Sequence, residues 1–201
     1  MKPTIDLFRC INDSNTDYIK EALSRNTNLE RTNPEGQTAL LYALYKKDTG
    51  TALLLIAHGA NVNAQDQVGH TPFLYAGAQG YTDVVKACLE HGADFTVYNR
   101  YGGTALTTAA EKAHLETVKL LAGTPGFPVD HVNNLGWTAL LEAIILGEGD
   151  DTHAPVIAAL IDGGSNVNLA DKKGATPLTH ALKLGYKKIG AQLEAAGGRL
   201  S

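Results

Sequence analysis

Apolar positions recur in step along this chain: Leu40, Phe73, Leu106, Leu140 and Leu178 form one series, and Ile56, Leu89 and Ile161 form a second. Between the series lie polar stretches that share a pattern of Asn or Asp, two variable residues, Gly, one variable residue, Thr, Ala or Pro, and Leu or Phe. The pattern opens at Asn33, Asp66, Asn99, Asn133 and Asp171, with glycines at Gly36, Gly69, Gly102, Gly136 and Gly174. Its threonines, Thr38, Thr71, Thr104, Thr138 and Thr176, follow one another at steps of 33, 33, 34 and 38 residues. Such a period marks a stack of supersecondary units rather than one mixed core.

Each copy carries the signals of a turn followed by two helices. The Gly supplies a turn conformation that a Cβ resists, and the Thr caps a helix start. Pro72 and Pro177 suit a first helical turn. After a short first helix and a turn comes a second helix, predicted over Thr82–Glu90 in one copy and closed by Gly92 in a left-handed C-cap, with Gly59 and Gly164 in the same role. Val62, Phe95 and Val167 then pin the hairpin to the stack. One helix pair alone cannot bury its apolar face, so the two series form a continuous core only when copies stack.

The period, the glycines and the tetrapeptides Thr71-Pro72-Phe73-Leu74 and Thr176-Pro177-Leu178-Thr179 resemble the ankyrin family, over essentially the whole chain. That resemblance implies an all-α fold, a right-handed curved solenoid of about six stacked helix-turn-helix repeats with β-hairpin-like loops. It implies a single domain over 1–201, with repeats at approximately 1–32, 33–65, 66–98, 99–132, 133–170 and 171–201. The family often has His fourth in the tetrapeptide; here Leu41, Leu74, Thr107, Leu141 and Thr179 stand there, which weakens the hydrogen bonding between repeats that the family would imply. The first repeat is a polar cap with Ile5, Leu7 and Ile11 on one helix, Ile19 and Leu23 on the next, and Asn26 in place of the closing Gly. The last, with Lys187, Lys188, Gln192, Glu194 and Arg199, caps the other end.

Two segments depart from the period. Gly123 to Gly126 shortens or breaks the second helix of the fourth repeat. Residues 147–155 run about five residues beyond a standard turn and carry Glu148, Asp150, Asp151 and His153; they read as a tolerated surface loop.

Composition narrows the functions without choosing one. Seventeen basic against 21 acidic residues give a formal charge of −4, so no global positive field gathers nucleic acid or anionic membrane. Two distant cysteines, Cys10 and Cys88, form neither a disulfide framework nor a zinc site and read as small buried core residues in a reducing compartment. With no secretory signal and no apolar run that spans a bilayer, a cytoplasmic monomer is expected.

Candidate chemistry is thin. The acidic insertion lacks the ligand order of a calcium loop, and the seven histidines show no paired helical spacing. His58 and His91, each just before a closing Gly, suit an interaction with a helix C-terminus. Gly163-Gly164-Ser165-Asn166-Val167 lacks the final Gly of a nucleophile elbow, and no glycine pair leads into a phosphate-binding Lys. No catalytic residue, cofactor or metal ligand is assigned, and the chain is read as no enzyme.

The informative positions are those the turns leave free. Hairpin tips and the last residues of the first helices should share one side, and family members commonly recruit partners there. The candidate protein-binding residues are Tyr45, Val68, His70, Arg100, Tyr101, Leu135, Trp137 and Ile145, an apolar and aromatic strip beside an Arg, of the residue types enriched at interface hot spots. The expected function is a stand-alone protein-interaction module acting as adaptor, scaffold or inhibitor. The alternatives are a regulatory subunit of an enzyme, or a metal- or small-molecule-binding protein or enzyme using the groove near 147–155.

Overall fold

The structure, a computed structural model, describes residues 6–25 and 27–201. Ile5 and Asn26, assigned above to the first repeat, lie outside the described residues. Within them the chain is all-α. Twelve helices follow in pairs: α1 (Leu7–Asn12) and α2 (Thr16–Ser24), α3 (Ala39–Tyr45) and α4 (Thr49–Ala57), α5 (Pro72–Gln79) and α6 (Thr82–Glu90), α7 (Ala105–Glu111) and α8 (Leu115–Ala122), α9 (Ala139–Ile145) and α10 (Asp150–Asp162), α11 (Pro177–Lys183) and α12 (Lys187–Ala195).

The repeated threonines start the inner helices as expected. The hydroxyls of Thr38, Thr104, Thr138 and Thr176 each accept a backbone N–H three residues on, and Thr71 accepts from Leu74. Of the outer helices, α8 ends at Ala122 with Gly123 as its cap, one residue shorter than α6. The closing glycines Gly59, Gly92 and Gly164 take φ of +84°, +79° and +90°. Next to the first two, the His58 and His91 rings bond the carbonyls of Leu54 and Ala87 at 2.8 and 2.9 Å, the helix-end role read from the sequence.

The hairpins are turns rather than strands; a single antiparallel bridge, Thr32 to Thr38, occurs among the described residues. Each turn is held by its leading Asn or Asp. Its Oδ1 accepts two backbone N–H groups, those of Glu35 and Gln37 for Asn33, Val68 and His70 for Asp66, Tyr101 and Gly103 for Asn99, Leu135 and Trp137 for Asn133, and Lys173 and Ala175 for Asp171. One side-chain oxygen thus replaces a strand ladder.

Contacts divide the chain into two compact units, Met1–Ala76 with Asp83–Asp94, and Gly77–Thr82 with Phe95–Ser201. In the first, α3 packs on α1 and α4 on α2. Leu7, Ile11, Ile19 and Leu23 of the first repeat are buried. In the second, α7, α9 and α11 pack in order, as do α8, α10 and α12. The first-helix series Leu40, Phe73, Leu106, Leu140 and Leu178 is buried throughout. The second-helix series is not: Ile56 is buried, but Leu89 and Ile161 are only half-buried. The core stripe of the outer helices runs instead through Leu55, Val84, Val85, Cys88, Val118, Leu121, Ile157 and Leu160, with Leu89 and Ile161 at its edge. Polar linkers join repeats within each unit: Asn63 accepts from the Asp94 N–H and donates to the Gly92 carbonyl, and Asn168 does the same with Arg199 and Gly197.

The 147–155 segment is not a surface loop. In the other repeats one residue between the paired helices is left-handed: Ser14, Lys47, Gly80, Ala113 and Gly185, with φ from +51° to +77°. Gly147 holds the matching place without that conformation, and the left-handed residue is Gly149 at +96°. From Asp150 the extra residues form a turn of helix ahead of the regular start, so that α10 runs to 13 residues. Pro155 then falls where a regular outer helix has its first turn, a position at which a missing N–H costs little.

Candidate functional site

The tip side chains stand on turns that do not use them, and the structure treats the eight candidate residues differently. In the first unit, Val68 is half-exposed at its tip. Tyr45 and His70 are tied to each other. The Tyr45 hydroxyl lies 2.8 Å from Asp66 Oδ2 and 2.6 Å from His70 Nδ1, and its ring is 4.5 Å from that of Tyr75. A phenol has one proton to give, so donation to the carboxylate leaves its oxygen to accept from His70 Nδ1–H. Burial first, and then the Asp66 hydrogen bond and charge, push the Tyr45 hydroxyl well above its ordinary pKa, so it stays a donor. The inner face of this unit also carries an open groove of 520 Å³ that includes Phe8, Tyr42, Tyr45 and Lys46. Phe8 meets Tyr42 edge-on at 5.5 Å, and the Lys46 ammonium lies 5.3 Å from the Tyr42 ring. Phe8 and Tyr42 were not among the expected site residues: the first repeat, which holds Phe8, lacks the tip motif, and Tyr42 lies mid-helix on α3 rather than at a tip or helix end.

In the second unit, Arg100 and Tyr101 form a pair at one tip, the guanidinium carbon 4.8 Å from the ring centroid, and Tyr101 keeps 54% of its surface exposed. The next tips are linked through backbone: the Asn134 N–H donates to the Tyr101 carbonyl at 2.9 Å, and the Lys172 ammonium donates to the Asn134 carbonyl at 2.6 Å. Leu135, Trp137 and Ile145 come together on the wall of an open groove of 480 Å³. The same groove is lined by Lys172 and Lys173 from the last tip and Lys183 from the end of α11, none of them among the candidate residues.

Beside this face sits an acid that the sequence reading passed over. Glu142 on α9 is 6% exposed; Oε1 accepts from Asn133 Nδ2 at 2.6 Å, while Oε2 is buried with no hydrogen-bond partner. Burial, then the charge of Glu111, push its carboxyl up to about 7 against the opposing help of Asn133. Its signal in the sequence was a charged residue at the inner-helix position where Tyr42, Tyr75 and Thr108 stand in other repeats.

Two of the insertion's polar side chains, those of Asp150 and His153, are engaged. Asp150 Oδ1 accepts the Ile189 N–H at 2.9 Å and Oδ2 the Lys188 N–H at 3.0 Å, capping α12, whose own N-cap residue Tyr186 makes no side-chain cap bond. Burial opposes ionisation of Asp150 most, but the backbone donors and the Lys188 charge outweigh it and hold the carboxyl below its ordinary value. His153 is 1% exposed; Nδ1 accepts the Glu148 N–H and Nε2 donates to the Glu111 carbonyl, which fixes the neutral Nε2–H tautomer. Among the described residues no group of three or more His, Cys, Asp or Glu is placed to hold a metal ion, and no helix is long and apolar enough to cross a membrane. Cys88 is buried as expected, whereas Cys10 is only partly so, lying beside the stripe of α1 that Leu7 and Ile11 bury.

Comparison with known proteins agrees with the repeat geometry. A family model described as ankyrin repeats (3 copies) matches residues 45–130. The ankyrin repeat protein YahD of Escherichia coli (strain K12) is 32% identical over 192 residues, covering 96% of each chain. An ankyrin repeat domain from Acinetobacter baumannii AYE, solved by crystallography, superposes with a TM-score of 0.90 at 47% identity, covering 96% of this chain and 98% of that one. The crystal structure of EF0377, an ankyrin repeat protein, gives a TM-score of 0.90 at 34% identity over 97% of this chain and 98% of its own. With capped inner helices, Asx-held tips and glycine-closed outer helices recurring along its length, this chain belongs to the ankyrin-repeat family.

Proposed function

We propose that this protein is a stand-alone interaction module, an adaptor, scaffold or inhibitor, that binds a partner protein through its hairpin tips and inner helices. Family membership supports the class, since ankyrin repeats are protein-interaction modules. The observation that carries the reading to particular residues is the open wall of Leu135, Trp137 and Ile145, near a tip bearing Tyr101. These side chains are not needed by the turns that display them, and a contiguous apolar patch on a polar-rimmed surface is the usual mark of a binding site. The preformed scaffold presents them at little ordering cost. In this reading the protein acts as a cytoplasmic monomer and as one domain over 1–201, with no catalytic step of its own. A metal or small-molecule role for the 147–155 segment is disfavoured by Asp150 and His153, whose donors and acceptors are committed to α12, Glu148 and Glu111.

The test is affinity capture from native lysate by the intact protein beside a Tyr101→Ala, Trp137→Ala double variant of unchanged helix content. A specific protein held by the wild type and weakened at least ~30-fold in the variant, as expected for two aromatic anchors, supports the reading. Equal retention by both removes these residues from the site.

A further inference from the structure

Resting on that interaction reading, we infer that the groove beside the last two hairpins takes an extended acidic segment of the partner that carries a bulky apolar residue. The groove lies wholly within the second unit, and its 480 Å³ falls in the range of about 300–1,000 Å³ that accommodates a few side chains or a small ligand. Its lining combines the apolar side chains of Leu135, Trp137 and Ile145 with the ammonium groups of Lys172, Lys173 and Lys183.

Three lysines outnumber the one acidic side chain of this groove. That side chain is Asp171, whose Oδ1 accepts the Lys173 and Ala175 N–H groups and whose Oδ2 lies 2.9 Å from His180 Nε2; Ser201 completes the lining on this side. None of the three lysines has a carboxylate partner among the ion pairs of the described residues. The Lys172 ammonium bonds the Asn134 carbonyl, which is neutral and leaves two of its N–H groups free. A groove of positive sign is thus set into a chain of formal charge −4, the reverse of the molecule's average.

Exposed ion pairs each add little, so acidity alone would bind weakly and unselectively. The apolar lining supplies the anchor, and the lysines choose the sign of what flanks it and speed its encounter. A chain of formal charge −4 repels a polyanion at long range, and the apolar lining offers nothing to a phosphate backbone, which favours a carboxylate-bearing peptide with an apolar anchor over a nucleic acid.

The experiment pans a displayed library of random peptides against the intact protein and measures the best binder by fluorescence anisotropy. The expected winners are rich in Asp and Glu around Leu, Phe or Trp. Their affinity falls about tenfold in a Lys173→Glu, Lys183→Glu variant and in Trp137→Ala, weakens with added salt, and is unmoved by Lys86→Glu on the exposed side of α6 in the first unit. All four positions are outside the buried core, and circular dichroism checks that each variant is folded. Winners that are neutral or basic, or acidic winners indifferent to the charge reversal, overturn the groove assignment while leaving the interaction reading intact. A library that yields no binder overturns the groove assignment, while the lysate capture decides the interaction reading separately. A labelled single-stranded oligonucleotide that competes for the groove, or a dimer in sedimentation abolished by the same lysine variant, overturns it in favour of nucleic acid or of a second copy of this chain.

Discussion

Glu142 shows how a residue can be set against its surroundings by the fold. Its carboxyl is shut away from water beside Glu111, with one oxygen unpaired, and its pKa is raised to about 7 from an unfolded value near 4.5. A raised carboxyl pKa means the native state holds a proton that the unfolded chain has already released. Stability from this residue is therefore greatest at acid pH and is lost as pH rises from about 4.5 through about 7. Between pH 5 and pH 8 the wild type should lose on the order of 1–3 kcal/mol, and Glu142→Gln, which keeps the Asn133 bond, should lose little; urea denaturation at the two pH values checks it. A second residue is strained in its backbone. Ala113 takes φ of +56° where two other repeats have Gly80 and Gly185. Ala113→Gly should raise stability by up to ~1 kcal/mol, read as a higher melting temperature. Neither case was legible beforehand. The motif fixed which residues cap and turn, but whether Tyr45 is free depends on Asp66 and His70 in the next repeat, a pairing that no local pattern reveals.

At the scale of elements, the period located every helix pair and both interruptions, and the cap at Gly123 fell where the glycines suggested. The nature of the longer interruption was not readable. Asp150, Asp151 and Pro155 read as loop residues, yet acids suit a first helical turn and Pro155 falls at the start of the regular helix, so α10 grows backward by about one turn. That turn brings Asp150 to the head of α12, a contact between segments 38 residues apart. Asp150→Ala should cost about 1 kcal/mol and speed hydrogen exchange of the first α12 amides, leaving α4 unchanged. A Cβ on Gly147 would collide with the Ala143 carbonyl and lie 2.7 Å from the His153 ring. Gly147→Ala should destabilise by roughly 1–3 kcal/mol, measured by denaturant midpoint.

For the molecule as a whole, the two thiols report different events. Cys88 is fully buried and its thiol is pushed up to about 12 by burial, whereas Cys10 is partly open, though burial and the nearby Asp6 and Asp13 raise it too. A thiol reagent should titrate one cysteine in the native protein and reach the second only as fast as the structure opens around α6, which stopped-flow labelling in mild urea will show. The aromatic and apolar wall was foreseeable because tip residues can be read directly from the turns. The lysines were not singled out: Lys172, Lys173 and Lys183 stand at a tip and a helix end that the period places on one side, but lysine is so common on exposed surface that nothing in the pattern marked these three. The lengthened α10 has one more use. Because the added turn precedes Ala154, and Val156, Ile157 and Leu160 still reach the core, the junction between inner and outer helices absorbs new sequence without shifting the stack. The same junctions at Lys47, Gly80 and Ala113 are therefore sites for grafting an epitope or a fluorescent reporter into an otherwise unaltered array.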